Sequence, residues 1–272
     1  MRVALIVLFG LTLAPAPSAQ PPPVVTDDPW CDGVYSWSGG AHHCEVREYT
    51  LPAPDQVTVN AGVNGGIDVE GWERGDVRLR ARVVARAPST AAARRLVEST
   101  RIETGPTVRP VIPDAHGENT SVVVNFELAV PRRATLDLTT VNGGIDLAGV
   151  AGRITFEAVN GGIGLDGVGG DIRGRTVNGG VSVALIGNTW DGRGLDVETT
   201  NGGVTVVVPE GYSAELETGS VNGPVHIGFP VGVEGDIARR LNTTLGRGGP
   251  RLRVVTTNGS VGVERGRHSR VH

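Results

Sequence analysis

The stretch "TFEAVNGGIGLDGVGG", residues 155–170, decides the fold because its centre recurs along the chain. Each copy has Val or Thr followed by Asn-Gly, and the two gaps between Asn142, Asn160 and Asn178 are both 18 residues. A fixed period of this kind is typical of repeat architectures. The seven corner asparagines are Asn64, Asn142, Asn160, Asn178, Asn201, Asn222 and Asn258.

The residues after each Asn alternate between apolar and polar or small types, which predicts a strand with one face buried. The third residues are Ile67, Ile145, Ile163, Val181, Val204, Val225 and Val261. The fifth residues are Val69, Leu147, Leu165, Val183, Val206, Ile227 and Val263. The intervening residues are Asp68, Asp146, Gly164, Ser182, Thr205, His226 and Gly262.

Each Asn-Gly pair is expected to form a tight corner between two strands, because Asn and Gly reach positive φ at low cost. Two architectures fit such a unit. An antiparallel meander of Asn-Gly hairpins would need a second layer, and no run of amphipathic helices supplies one. A β-solenoid encloses its own core. The predicted fold is therefore all-β: a β-helix-like solenoid of about 18-residue coils with Asn-Gly corners and one short inserted helix.

Composition supports a strand-rich chain and argues against nucleic acid as a partner. The 272 residues include 41 Gly and 17 Pro, with few aromatic residues. All 25 basic residues are Arg, and the formal net charge is −4. A chain of this charge without a large basic block lacks the electrostatic footprint of a nucleic-acid-binding protein.

The N-terminus has the features of a signal peptide over residues 1–18. Arg2 precedes an apolar run over residues 3–13 that is too short to span a bilayer, and small residues follow it. No later segment is apolar and long enough to span a membrane. We expect an exported protein, periplasmic or at the cell surface, with no transmembrane segment in the mature chain.

The rest of the chain divides into four predicted parts. Residues 19–44 are a Pro-rich linker and disulfide-bearing segment, and residues 45–134 are an N-terminal β-repeat part. This second part contains a short helix near residues 90–100, capped by Ser89 or Thr90. Residues 135–264 hold the solenoid repeats, and residues 265–272 form a basic tail.

Export changes how Cys31 and Cys44 are interpreted, since an even number of cysteines in an oxidising compartment predicts a disulfide. His42 and His43 beside Cys44 allow a zinc alternative, but their spacing fits no common zinc motif. The nearby aromatic residues are expected to pack over one end of the core, with sugar stacking as the alternative. These aromatic residues are Trp30, Tyr35 and Trp37.

The repeats themselves do not predict a phosphate or metal site. A phosphate loop opens a helix and often carries a Lys, whereas each Asn-Gly here precedes a strand and the chain has no Lys. The stretch 161–169 matches a calcium-binding nonapeptide once. Stacked calcium turns need consecutive copies, so we expect no cofactor and no metal.

Several quoted motifs together resemble a known family. "TTVNGGIDLAGV", "EAVNGGIGLDGV" and "RTVNGGVSVALI" keep one phase, and "VNAGVNGGIDVEGW" and "GRGGPRLRVVTTNGSV" extend the pattern at both ends. Over about residues 45–265, the chain resembles the bacterial putative-adhesin family with β-strand repeats, a domain of unknown function. The resemblance implies a β-solenoid in an exported or envelope protein and brings no catalytic residues.

The predicted function is that of a non-catalytic cell-envelope scaffold or adhesin-like binding module, whose partner is an envelope protein or a polysaccharide. Binding would use an outer strand face or the insertion at residues 186–194, which is expected to expose Trp190. The alternative is a carbohydrate-active β-helix enzyme acting on polysaccharide. Asp68 and Asp146 point outward, but no carboxylate follows in the next units, and His226 is alone. An enzyme would need a groove lined by several carboxylates and Arg.

The phase of the repeat predicts different outcomes for two neighbouring substitutions. Ile163→Asp places an unpaired charge in the core and should cost several kcal/mol of unfolding free energy. Ser182→Asp lies on the outer face and should cost less than about 0.5 kcal/mol. Thermal melting of both variants checks this, and equal losses would mean that the phase is assigned wrongly.

Overall fold

The computed structural model describes residues 24–25, 28–32, 40–52, 55–114, 117, 119–230 and 239–266. The predicted signal peptide, the basic tail beyond residue 266 and the aromatic residues Tyr35 and Trp37 lie outside these residues. Within the described part the chain is all-β, with one α-helix, α1 (Thr90–Ser99), and one 3-10 turn, η1 (Pro29–Cys31). No helix there is long and apolar enough to cross a membrane.

The strands form two large sheets. The eleven-stranded sheet contains β1 (Val24–Val25), β2 (Ala41–Leu51), β4 (Ile67–Trp72), β5 (Val77–Ala87), β8 (Ser121–Pro131), β10 (Ile145–Ala148), β12 (Ile163–Asp166), β14 (Val181–Ala184), β16 (Val204–Val208), β18 (Val225–Ile227) and β21 (Val261–Arg265). The ten-stranded sheet contains β3 (Val57–Asn60), β6 (Arg101–Thr104), β7 (Val108–Val111), β9 (Leu136–Asn142), β11 (Ala151–Asn160), β13 (Gly169–Asn178), β15 (Gly194–Asn201), β17 (Ala214–Asn222), β19 (Arg240–Leu245) and β20 (Arg251–Asn258).

The chain crosses between the sheets at every Asn-Gly pair. For example, β11 belongs to the ten-stranded sheet, and β12, which follows Asn160, belongs to the eleven-stranded sheet. Strand β12 pairs in parallel with β14, so that Ile163 lies opposite Val181 and Gly164 opposite Ser182. An Asn-Gly hairpin would instead join antiparallel neighbours in one sheet. The hairpin alternative is therefore wrong for these units.

The apolar residues selected by the sequence phase fill the space between the sheets. Ile145, Ile163 and Val181 are at most 2% exposed, and they stack on equivalent residues of the neighbouring units. Phe156 is buried opposite Gly174 of the next strand, where a Cβ would collide with the aromatic ring. Large and small residues thus interdigitate between units, as close packing requires.

The corner glycines recur for a reason other than the expected positive φ. No corner Asn, and no Gly directly after one, has positive φ. The glycines that do have positive φ lie elsewhere, for instance Gly149 and Gly167 in the Gly-rich turns that follow β10 and β12. A Cβ on the first corner glycine would instead lie less than 3.0 Å from a backbone carbonyl oxygen of the adjacent unit. The glycines under this constraint are Gly65, Gly143, Gly161, Gly179, Gly202, Gly223 and Gly259.

The second corner position is less crowded. At Gly162, a Cβ would lie 3.5 Å from the nearest atom outside its immediate chain neighbours, the carbonyl oxygen of Gly180. This is ordinary van der Waals contact, so side chains are accepted here. The sequence carries Pro224 and Ser260 at the equivalent positions of two other units. The contrast between the two positions explains why the motif reads Asn-Gly-Gly, Asn-Gly-Pro or Asn-Gly-Ser.

The corners are also tied to one another by side chains. The seven asparagines form a ladder in which six side-chain amides each donate a hydrogen bond of 2.7–3.1 Å to the carboxamide oxygen of a neighbouring asparagine, and Asn64 at one end accepts. Two residues before the Asn, four threonines donate 2.6–2.8 Å bonds to a glycine carbonyl of the neighbouring corner. These are Thr140, Thr176, Thr199 and Thr256. Amide ladders of this kind satisfy stacked polar groups along a sheet edge.

The units do not stack in chain order at the C-terminal end. Strand β20 lies between β15 and β17, and β21 lies between β16 and β18, so the last unit of the chain is internal. The outward charges account for this order. Asp196 of β15 and Glu217 of β17 would be direct neighbours in chain order, whereas Arg253 of β20 separates them. Arg253 lies 2.6 Å from Asp196 and 3.7 Å from Glu217.

Antiparallel strands and the helix close the N-terminal end. Strands β2, β5 and β8 extend the eleven-stranded sheet beyond β4. Helix α1 buries Ala93 and Val97, and the hydroxyl of Ser89 accepts a hydrogen bond from the Ala92 amide, which confirms the predicted helix and cap. Arg47 of β2 donates to the carbonyls of Val97 and Thr100, which satisfies the helix C-terminus.

The two corner positions predict opposite outcomes for the same substitution. Gly161→Ala forces two backbones apart and should lower the unfolding free energy by at least about 2 kcal/mol. Gly162→Ala should change it by less than about 0.5 kcal/mol. Urea denaturation of both variants measures the difference. Similar values would show that the close approach is not what requires glycine.

Candidate functional site

A row of carboxylates crosses the outer face of the eleven-stranded sheet. Asp68 of β4 and Asp146 of β10 are direct partners in parallel strands. Glu127 of β8 lies opposite Asp68 on the other side. The row then continues through Gly164 and Ser182, as the sequence phase predicts. Three carboxylates therefore lie side by side, whereas the repeat pattern in the sequence predicted only two of them, Asp68 and Asp146.

Sequence reasoning missed Glu127 because β8 lies in the irregular part of the chain and has no Asn-Gly corner before it. The available signal was local: "NFEL" in β8 has the same alternation as "GIDV" in β4. The pairing of Phe126 with Ile67 puts the two segments in register. Alternation alone could not select this partner among the other strands.

The three carboxylates have different surroundings. Glu127 lies 2.8 Å from Arg80 and 3.8 Å from Arg78, so its charge is compensated. For Asp68, loss of hydration on the sheet face and the negative charges of Asp146 and Glu127 outweigh the positive charge of Arg82 and raise the pKa above its usual value. Loss of hydration also raises the pKa of Asp146. The pair thus holds protons more tightly than free carboxyl groups do.

Trp30 forms one wall beside this row. The Arg80 and Arg82 guanidinium groups lie 5.3 Å and 4.8 Å from its ring centroid, and Arg82 donates a 2.8 Å bond to its carbonyl oxygen. The predicted disulfide between Cys31 and Cys44 is present and attaches η1 to β2. Trp30 is therefore a half-buried side chain with a fixed position, and it both packs on the disulfide and faces the groove.

We call the depression along this face the outer groove. It has a volume of about 630 Å³ and runs from Trp30 across β8, β4, β10, β12 and β14. Its floor is low because the outward side chains there are small, namely Ala148, Gly164, Ser182 and Ala184. Four of its carboxylates have no ion pair within the described residues: Asp68, Glu70, Asp146 and Asp166. Such a surface can accept hydrogen bonds from hydroxyl groups or attract a cation.

The outer face of the ten-stranded sheet also has a depression, of about 400 Å³, lined by carboxylates and arginines. Here the charges neutralise one another. Arg175 lies 3.0 Å from Glu157. Burial lowers the pKa of Arg253, but the hydrogen bond to Asp196 and three nearby carboxylates outweigh it and raise the pKa overall. This face is a cross-strand ion-pair network with few free acceptors.

The metal alternatives from the sequence acquire no support from geometry. Cys44 is in the disulfide, so it has no thiolate to offer a zinc ion, and the His43 ring lies 3.3 Å from Glu45. Asp166 of the single calcium-like nonapeptide faces the outer groove. Among the described residues, no group of three or more His, Cys, Asp or Glu side chains could hold a metal ion.

The prediction that the insertion at residues 186–194 exposes Trp190 is wrong. Trp190 is only 4% exposed, and its indole donates a 3.0 Å hydrogen bond to the carbonyl of Gly170. An aromatic ring with a satisfied N–H gains more from covering the core than from solvent contact. The exposed apolar residue of the insertion is Ile186, at 60%.

His226 is exposed on β18 and has no titratable partner among the described residues.

Comparisons with known proteins find distant structural likenesses. No protein-family model and no curated protein match the sequence. A "putative cell adhesion protein" from Clostridium sporogenes ATCC 15579 is 12% identical with a TM-score of 0.42, covering 83% of this chain and 100% of that one. A "putative adhesin" from Bacteroides fragilis NCTC 9343 is 10% identical with a TM-score of 0.32, covering 82% and 96%.

A "putative lipid binding protein" from Parabacteroides distasonis ATCC 8503 is 12% identical with a TM-score of 0.31, covering 82% of this chain and 98% of that one. All three are crystal structures of bacterial proteins. Identities and TM-scores this low carry no argument about function. The resemblance of the repeats to the adhesin-like family therefore stays a prediction.

The raised pKa values of Asp68 and Asp146 predict how stability depends on pH. The folded protein binds these protons more tightly than the unfolded chain, so their effect favours folding below pH 3.8 and is lost as pH rises through the folded pKa values. Asp146→Asn removes one charge and should raise the melting temperature at pH 7 by about 2 °C. At pH 3 the variant and the wild type should melt alike. Asp166→Asn, on the same face, is the control. A gain at pH 7 that persists at pH 3 would contradict the electrostatic explanation.

Proposed function

We propose that this is an exported, non-catalytic cell-envelope protein that binds polysaccharide in the outer groove. The observation that carries the proposal is the groove itself: a shallow depression with a tryptophan wall and four carboxylates that have no ion pairs in the described part of the chain. Unpaired carboxylates accept hydrogen bonds from sugar hydroxyls, and an aromatic wall contacts the apolar face of a sugar ring.

The shape of the groove supports an extended ligand. It crosses five strands, and four spacings of about 4.8 Å give a length of about 19 Å. We further propose that the two sheets are two faces of a β-solenoid whose coils are the 18-residue units. Such a rod presents equivalent side chains at a constant repeat, which suits a ligand that is itself a repeating chain. A role as an adhesin-like module follows if the polysaccharide belongs to another surface.

The alternative function is a carbohydrate-active enzyme, and one observation favours it. Asp68 and Asp146 are adjacent and both have raised pKa values, which is the arrangement that lets one carboxyl group hold a proton beside a second carboxylate. Glycoside hydrolysis uses two such groups. Incubation of the protein with soluble polysaccharides, followed by a reducing-end assay, decides this point. Product formation that disappears in Asp68→Asn would replace the binding proposal with the enzymatic one.

The binding proposal predicts a position-specific block. Ser182→Trp places a ring on the groove floor and should weaken binding to a retained polysaccharide at least tenfold in affinity electrophoresis. Thr205→Trp is the matched control because Thr205 is the next residue in the same outward row but does not line the groove. Both positions face outward, so both variants should fold. Loss of binding in neither variant, or equally in both, would contradict the assignment of the groove.

A further inference from the structure

Besides the ion-paired depression already described, the ten-stranded sheet has another depression, near β19. Strands β15, β20, β17 and β19 lie side by side there, and a pocket of about 390 Å³ opens at their corner ends. Three arginines line it, Arg239, Arg240 and Arg253, together with the hydroxyl-bearing residues Thr200 and Thr257. We call it the arginine pocket. It is separate from the outer groove, which lies on the other sheet.

Gly219 lines the pocket, and its lack of a side chain lets another segment come close. The outward row across these four strands reads Glu198, Val255, Gly219 and Arg240. A Cβ at Gly219 would lie 2.5 Å from the carbonyl oxygen of Arg239, so the chain before β19 fits against this glycine. This contact brings Arg239 and Arg240 to the pocket, which they line together with Val255 and the corner ends of the strands.

Two of the three pocket arginines are not compensated, and one carboxylate, that of Glu198, also lines the pocket. Arg253 is paired with Asp196 and lies 3.6 Å from Glu198. Neither Arg239 nor Arg240 has a side-chain hydrogen bond or an ion pair within the described residues, and both are exposed. Most arginines nearer the middle of this face have a carboxylate partner, as Arg175 does with Glu157. The unpaired positive charge is therefore concentrated at the pocket.

Hydroxyl groups appear at the same place. The residue before each corner asparagine is exposed, and in five of the seven units it is a valine. Three adjacent units place this residue in the pocket, and it changes to threonine in two of them, at Thr200 and Thr257, while the third keeps Val221. No hydrogen bond occupies either hydroxyl within the described residues. Two free guanidinium groups and two free hydroxyl donors thus share one depression.

We propose that the arginine pocket binds an oxyanion, namely a carboxylate or a phosphate group. The planar guanidinium fork matches both groups with paired N–H donors, and it stays charged at every physiological pH. The threonine hydroxyls supply the additional donors that such a group accepts. The anion has two possible sources, a free inorganic ion or an acidic group carried on a saccharide chain.

Calorimetric titration of the full-length protein tests the proposal with three probes: inorganic phosphate, trigalacturonate and the neutral maltotriose. The wild type should bind at least one anionic probe, more weakly as ionic strength rises, and a tenfold excess of maltotriose should not displace that anion. A preference for phosphate identifies a free ion as the source, and a preference for trigalacturonate identifies a saccharide-borne carboxylate. Failure to bind either anion, or displacement of the bound anion by maltotriose, would overturn the proposal.

Variants assign the binding to the pocket. Arg239→Gln with Arg240→Gln should weaken anion binding at least tenfold, because both charged forks are lost. Thr200→Val with Thr257→Val should weaken it about threefold, and valine already stands at the equivalent position of other units, so folding is preserved. Arg193→Gln, an exposed arginine of the same face that lies 3.9 Å from Asp171, should have no effect.

The Ser182→Trp variant separates this inference from the proposed function. It blocks the outer groove on the other sheet and should leave anion binding unchanged. Wild-type affinity in the double arginine variant, or loss of anion binding in Ser182→Trp, would place the anion elsewhere and refute the arginine pocket.

Discussion

The close approach of two backbones at each corner is the constraint on which this structure depends. A first-position corner glycine lies against a carbonyl oxygen of the adjacent unit, and no Cβ fits between them. That approach puts the asparagine side chains within hydrogen-bonding distance and lets each threonine reach a neighbouring carbonyl. The ladders then hold the strands of both sheets in register, since a slip of one residue would turn every apolar side chain outward.

Charge selects among strands that the backbone treats as equivalent. Every unit presents the same corner and the same apolar phase, so packing alone does not distinguish β17 from β20 as the neighbour of β15. The outward residues do. Arg253 lies among Asp196, Glu198 and Glu217, whereas chain order would bring acidic strands together. Individual surface ion pairs contribute little to stability, but like charges placed directly opposite disfavour the competing order.

Local periodicity predicted much of this fold, and its limits have physical causes. The all-β class, the strand phase, the helix at residues 90–100 and the disulfide follow from alternation, capping and cysteine count, which are properties of short segments. The role of the corner glycines, the burial of Trp190 and the position of Glu127 depend on which segments become neighbours. For the candidate site, Asp68 and Asp146 were visible in the repeat, but the groove needs the wall formed by Trp30 and the floor formed by small residues of three units.

The internal position of the last unit affects how the protein is made. Synthesis proceeds from the N-terminus, and the units ending at Val208 and Ile227 are complete before residues 251–265 exist. Until those residues emerge, β15 and β16 present open parallel edges, and β17 could pair with β15 only in the order that brings acidic residues together. Open edges of this kind pair readily with other chains. The nascent protein therefore stays vulnerable to association until β20 and β21 take their places between the neighbouring strands.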